Sequence, residues 1–245
     1  MNRRITAIIT AVCIGVLFTG CSGNVDKNSE TSSSESESET SVSQSDAVET
    51  ALPEAESASE VNAYYNYIID LLVEVRSGQA DDDTMMTFTE TMSPDFMYVS
   101  DDVPVFYTTI DIDGNGVDEL LLYTKQFDED GGEAAVIYDA YTVRNGEPVH
   151  FIAGGSRNVY YLASDSTFYN MGSSGAAYTG FANYTYADGE LILNECYFTD
   201  DSTGEVCWYE STDGLWSDDR TEASENDAMS FFDFDPMFIP NELEV

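Results

Sequence analysis

The chain has 245 residues, with 47 Asp and Glu against 8 Lys and Arg, a formal net charge of −39. A surface this acidic repels nucleic acid and anionic lipid headgroups, and its favoured partners are cations, basic proteins or neutral glycans. The first twenty residues differ from the rest. Arg3 and Arg4 precede an apolar run from Ile5 to Phe18, too short for a comfortable membrane span, so residues 1–20 read as an export signal.

That segment ends in Leu17-Phe18-Thr19-Gly20-Cys21. The run resembles the lipobox of bacterial lipoproteins, with Phe18 where the family usually has Leu. The resemblance implies a lipidated Cys21 and an extracytoplasmic protein, exposed at the cell surface and anchored to the bacterial membrane. Two acyl chains suffice for stable anchoring. Residues 21–56 then form a tether rich in Ser, Thr and Glu, where aromatic residues are absent and Lys27 is the sole cation. Such a composition cannot bury enough apolar surface to offset its chain entropy and is expected to be disordered. A flexible chain of this length spans roughly 30–35 Å.

Residues 57–245 read as one β-rich domain. Ser57 and Glu60 have the spacing of a capping box. Val61, Tyr64, Tyr65, Ile68, Leu72 and Val75 then trace the stripe of an amphipathic helix, with Gly78 at its expected end. After Asp81-Asp82-Asp83 the pattern turns to strands near Val105–Ile110, Glu119–Thr124, Ala134–Val143, Val149–Ala153, Val159–Ala163, Thr167–Met171, Ala177–Tyr186, Glu190–Thr199 and Val206–Glu210. Asn145-Gly146 and Asp188-Gly189 are two-residue hairpin turns, and Asp165-Ser166 is a weaker one. A short last helix is expected from Ser224 to Phe232, stopped by Asp235-Pro236. The fold class that follows is α+β, predominantly β, with an antiparallel meander.

One loop carries specific chemistry. Asp111-Ile112-Asp113-Gly114-Asn115-Gly116 places oxygen donors at positions one, three and five, with a glycine at six for the sharp turn. The run resembles the D-x-D-x-D-G-x-x-D calcium loops of FG-GAP repeats. It is less like an EF-hand, because Leu122 stands where that motif has its bidentate Glu. The resemblance implies a structural calcium ion held by Asp111, Asp113, Asn115, the Val117 carbonyl and Glu119. Asp118 is the substitute for Glu119.

Other signals are weaker. Cys196 and Cys207 would face each other in a simple hairpin turning at Asp200–Gly204, which predicts a disulfide. Gly172-Ser173-Ser174-Gly175 lacks the frame of a nucleophile turn, and His150 reads as an ordinary strand residue, so catalytic and cofactor-binding residues are not assigned. Tyr178, Tyr184 and Tyr186 share one strand face, with Trp208 and Trp216 nearby. They suit either sugar stacking or packing under a sheet. These features predict a calcium-stabilised binding or adhesion module. The alternatives are an envelope enzyme such as a carboxylate-dependent glycan hydrolase, or an accessory subunit of an envelope complex.

Overall fold

The computed structural model describes residues 58–100, 102–127, 132–175, 177–237, 239 and 243–244. The export signal, Cys21, the tether and the Ser57 cap lie outside the described residues. Helix α1 (Ala58–Arg76) is followed by α2 (Asp82–Thr91) and a short 3₁₀ helix (Pro94–Tyr98). Both of these fall where the sequence suggested a turn to β structure. The signal for α2 is the acidic triplet. Asp81 caps the helix by accepting the Thr84 N–H at 2.8 Å, and Asp82 and Asp83 fill the first turn, where carboxylates favour the helix dipole. The Thr-rich remainder has weak helix propensity, and burial of Phe88 and Met92 overrides it.

The strands are β1 (Phe106–Ile110), β2 (Glu119–Phe127), β3 (Glu133–Arg144), β4 (Glu147–Ala153), β5 (Asn158–Leu162), β6 (Thr167–Gly175), β7 (Tyr178–Ala187), β8 (Glu190–Asp200), β9 (Cys207–Ser211), β10 (Thr221–Ala223) and β11 (Leu243–Glu244). Helix α3 (Glu225–Phe231) lies between the last two, with Ser224 and Asp227 closing a capping box. The fold is predominantly β, in one antiparallel sheet ordered β10-β9-β8-β7-β6-β5-β3-β2-β1-β11. It is not a plain meander. Strand β3 carries β4 beside its second half and touches β5 through Ile137 and Tyr160. The hairpin turns form with positive φ at Asn145, Gly146, Asp188 and Gly189, as their type requires.

Strand β2 is buried on both faces, which explains its run of three leucines. Leu120 and Leu122 pack with Tyr65, Ile68 and Leu72 of α1 and with Phe88 of α2. Leu121 and Tyr123 face the opposite cluster with Ile137, Ile152, Phe168 and Tyr186. The sheet thus has a core layer on each face, and in the second layer Phe151 of β4 meets Tyr186 of β7 with ring centroids 4.6 Å apart. Toward β7 to β9 the packing is aromatic. Phe181 stacks on Phe232 at 4.8 Å and on Trp208 at 5.6 Å.

One expectation needs correction. Strand β8 pairs with β9 in a register that sets Cys196 opposite Ser211 and Cys207 opposite Asp200. The two cysteines are thus four strand positions apart, on the order of 13 Å, and both are free thiols. The tight hairpin fails because β8 runs on through Asp200. The aromatic residues in turn are mostly spent on packing. Tyr186 is buried, Trp208 lies on Phe181, and the Trp216 Nε1–H donates to the Thr199 carbonyl at 3.1 Å.

Candidate metal centre

The β1–β2 connection is the Asp-rich loop. Gly114 and Gly116 sit at φ +76 and +90, a region open to glycine at little cost, so the chain can curl around its own carboxylates. Asp111 accepts the Gly114 N–H at 2.8 Å on Oδ1 and the Gly116 N–H at 3.0 Å on Oδ2. Asp113 Oδ1 accepts the Asn115 N–H at 3.1 Å, and Asn115 Oδ1 accepts the Val117 N–H at 2.7 Å. Each side chain at an odd position is thereby held against the loop backbone, with lone pairs remaining on its oxygens.

Glu119 opens β2 and is fully buried. Its Oε2 accepts the Ile112 N–H at 2.9 Å, and its Oε1 accepts the Thr142 hydroxyl at 3.1 Å and the Tyr186 hydroxyl at 2.8 Å. Burial nevertheless pushes its carboxyl up to about 7, and the charge that adds to the shift is Asp113, of the same sign. Oxygens of Asp111, Asp113 and Glu119 lie within 4.8 Å of one another. Like charges this close, one of them out of water, fit a hard cation that takes oxygen ligands. Three of the five residues expected from the sequence are thus the carboxylates of one cluster. Asn115 is exposed, with its amide oxygen on the Val117 N–H, and Val117 packs at the edge of the helical core. The Asp118 carbonyl accepts the Tyr65 hydroxyl of α1 at 2.5 Å.

The loop is tied to distant parts of the chain. The Asp188 N–H, in the β7–β8 turn, donates to Asp113 Oδ2 at 2.7 Å. Arg144 holds that turn through Asp188 at 3.1 Å and Glu190 at 2.7 Å. The partners Tyr65, Thr142, Tyr186 and Asp188 carry no sequence signal that links them to the loop.

Sequence reasoning missed a second buried carboxylate. Asp139 is fully buried, accepts the Ser93 N–H on both oxygens at 3.0 Å, and lies 2.6 Å from His150 Nε2. Burial pushes its carboxyl up to about 6, against the opposing pull of His150. A β-bulge makes this possible. Tyr138 is the extra residue between the pairs Tyr123↔Ile137 and Leu122↔Asp139, so Asp139 reaches the helical layer. His150 is therefore the partner of a buried acid and stacks on Tyr141 at 4.5 Å, more than an ordinary strand residue. A lone Asp inside Val136-Ile137-Tyr138-Asp139-Ala140-Tyr141 was the available signal, because a buried carboxylate needs a donor. Ser93 Oγ donates to the Gly154 carbonyl at 2.6 Å, so the serine hydroxyl is not aligned on the histidine.

Comparison of the chain with family models, curated proteins and solved structures finds no match in any of the three.

Proposed function

We propose that the protein is a lipid-anchored extracytoplasmic binding module whose sheet is braced by a calcium ion in the β1–β2 loop. The observation that carries the calcium reading is the convergence of Asp111, Asp113 and the buried Glu119 within 4.8 Å. An ion there replaces carboxylate repulsion with coordination, and it secures a loop that already touches β3, β7 and the β7–β8 turn. The lipobox-like run ending at Cys21 supports the anchor, and the Ser- and Glu-rich segment supports a spacer. The acidic surface suits a basic protein or a neutral glycan as ligand.

The reading without catalysis draws on two facts. His150 Nε2 is directed at Asp139, and Ser93 Oγ at a backbone carbonyl. The alternative, a carboxylate-dependent glycan hydrolase, needs two carboxyl groups facing a sugar-sized cleft. Glu119 has an acid's raised pKa but is wholly enclosed.

Two experiments test the proposal. Calorimetric titration with calcium should give one site per chain with a dissociation constant of about 10⁻⁴–10⁻³ M, the range of extracellular modules. A titration indistinguishable from buffer would remove the ion from the account. Cys21→Ala should release the protein from membrane to medium, and a variant that still fractionates as labelled lipoprotein would refute the anchor.

A further inference from the structure

The chain contains two Asn-Gly pairs, Asn115-Gly116 and Asn145-Gly146. Asparagine followed by glycine can cyclise, because the next residue offers a backbone nitrogen with no side chain beside it. At Asn115 the surrounding groups are set for that reaction. Gly116 has open space where a Cβ would stand, and Asn115 is exposed to water. The Gly116 N–H donates to Asp111 Oδ2 at 3.0 Å, which places a carboxylate base on the proton that must leave. The Val117 N–H donates to Asn115 Oδ1 at 2.7 Å, the oxygen on which negative charge develops. Base, nucleophile, electrophile and oxyanion donor thus lie within seven consecutive residues.

We infer that Asn115 is a self-modification site, which deamidates to aspartate with Asp111 as its general base. Asp111 takes the amide proton of Gly116, and the freed nitrogen bonds to Asn115 Cγ. The tetrahedral centre, its oxygen held by the Val117 N–H, collapses with loss of the Nδ2 amide. That group leaves as ammonia, carrying the proton back from Asp111. One water then opens the cyclic imide. Cleavage of the new Cγ–N bond leaves an ordinary aspartyl residue at this position, and cleavage on the backbone side leaves the isoaspartyl form. The net change is one water consumed and one ammonia released.

The other pair is a built-in comparator. Asn145 and Gly146 occupy the β3–β4 hairpin turn, with φ of 54 and 77, and the ladder pair Arg144↔Glu147 closes them. The intrinsic chemistry of the two pairs is the same, so a difference in rate reports the setting. The consequence of the reaction rests on the calcium reading. A carboxylate at position five completes the D-x-D-x-D run and adds ligand charge, which tightens such sites. The reaction itself does not depend on that reading.

The test follows both sites by peptide mapping and mass spectrometry while the purified protein ages at neutral pH in EDTA. Asn115 should convert about tenfold faster than Asn145, a modest share of what a positioned base contributes. Asp111→Asn should slow Asn115 by a similar factor and leave Asn145 unchanged, which also shows that the variant keeps its fold. In urea the two sites should converge. Conversion at Asn115 no faster than at Asn145, or an undiminished rate in Asp111→Asn, would overturn the inference. Because calcium is absent throughout, the result stands apart from the outcome of the calcium titration.

Discussion

Replacing Glu119 by Gln should stabilise the cation-free protein and at the same time abolish its response to calcium. The carboxyl is enclosed, and its pKa is pushed from 4.5 to about 7 by burial. A group whose folded pKa is raised contributes stability that is fully present below the unfolded value and lost as pH rises through the folded value. The window here runs from pH 4.5 to about 7. A shift of this size corresponds to about 3 kcal/mol once the group is ionised in both states. Gln carries no such cost and fits the same partners. Its carbonyl can accept the Ile112 N–H, and its amide can donate to the hydroxyl oxygens of Thr142 and Tyr186. Urea denaturation in EDTA should show wild type losing about 2–3 kcal/mol between mildly acidic and mildly alkaline pH from this group, with that loss absent in Glu119→Gln. Calcium should then stabilise wild type and leave the variant unmoved. A variant less stable than wild type in EDTA at alkaline pH would refute the reasoning, because it would show that the buried charge is compensated.

His150→Ala removes the side chain that bonds to Asp139 and stacks on Tyr141, leaving a buried carboxylate with the Ser93 N–H. The expected loss is about 2–3 kcal/mol by chemical denaturation, and a loss under about 0.5 would contradict the pairing. The thiols should differ in reactivity. Cys207 is half-buried and should alkylate in the native protein, whereas Cys196, buried and with its thiol pushed up to about 11, should alkylate only on unfolding. A reductant that lowers the melting temperature would instead reveal a bridge. Phe88→Ala tests the docking of α2 on the sheet and should cost about 3–5 kcal/mol, the usual range for a fully buried ring. A near-neutral result in thermal denaturation would mean that α2 does not share the core.

Most strands and both hairpin turns were legible because their signals are local. Alternating apolar residues and the pairs Asn145-Gly146 and Asp188-Gly189 specify geometry without reference to the rest of the chain. The order of the sheet was not, since β3 is shared between β4 and β5 and carries a bulge at Tyr138 that no turn residue marks. Helix α2 was hidden by its threonines, whose β preference loses to the burial of Phe88. The turn of the Asp-rich loop and the clustering of Asp111, Asp113 and Glu119 were readable, because glycines and carboxylates at fixed offsets are a local code. Its enclosure was not, since Thr142, Tyr186 and Asp188 arrive from 23 to 75 residues away. The cysteine pairing failed on register, where a short slip along β9 separates two groups that would otherwise touch.

We propose that the β1–β2 loop holds calcium and that the fold depends on it. The most direct measurement is the melting temperature in EDTA, calcium and magnesium, for wild type and for Asp111→Ala/Asp113→Ala. Binding to the folded state alone stabilises by about 2.7 kcal/mol at a hundredfold excess over the dissociation constant. Magnesium should substitute poorly, because it demands a tight octahedron and keeps its waters. Calcium should raise the melting temperature of wild type, magnesium should not reproduce the rise, and the rise should vanish in the double variant. An equal rise in wild type and variant, or with both ions, would mean that the cations only screen an acidic surface and that the loop is a turn.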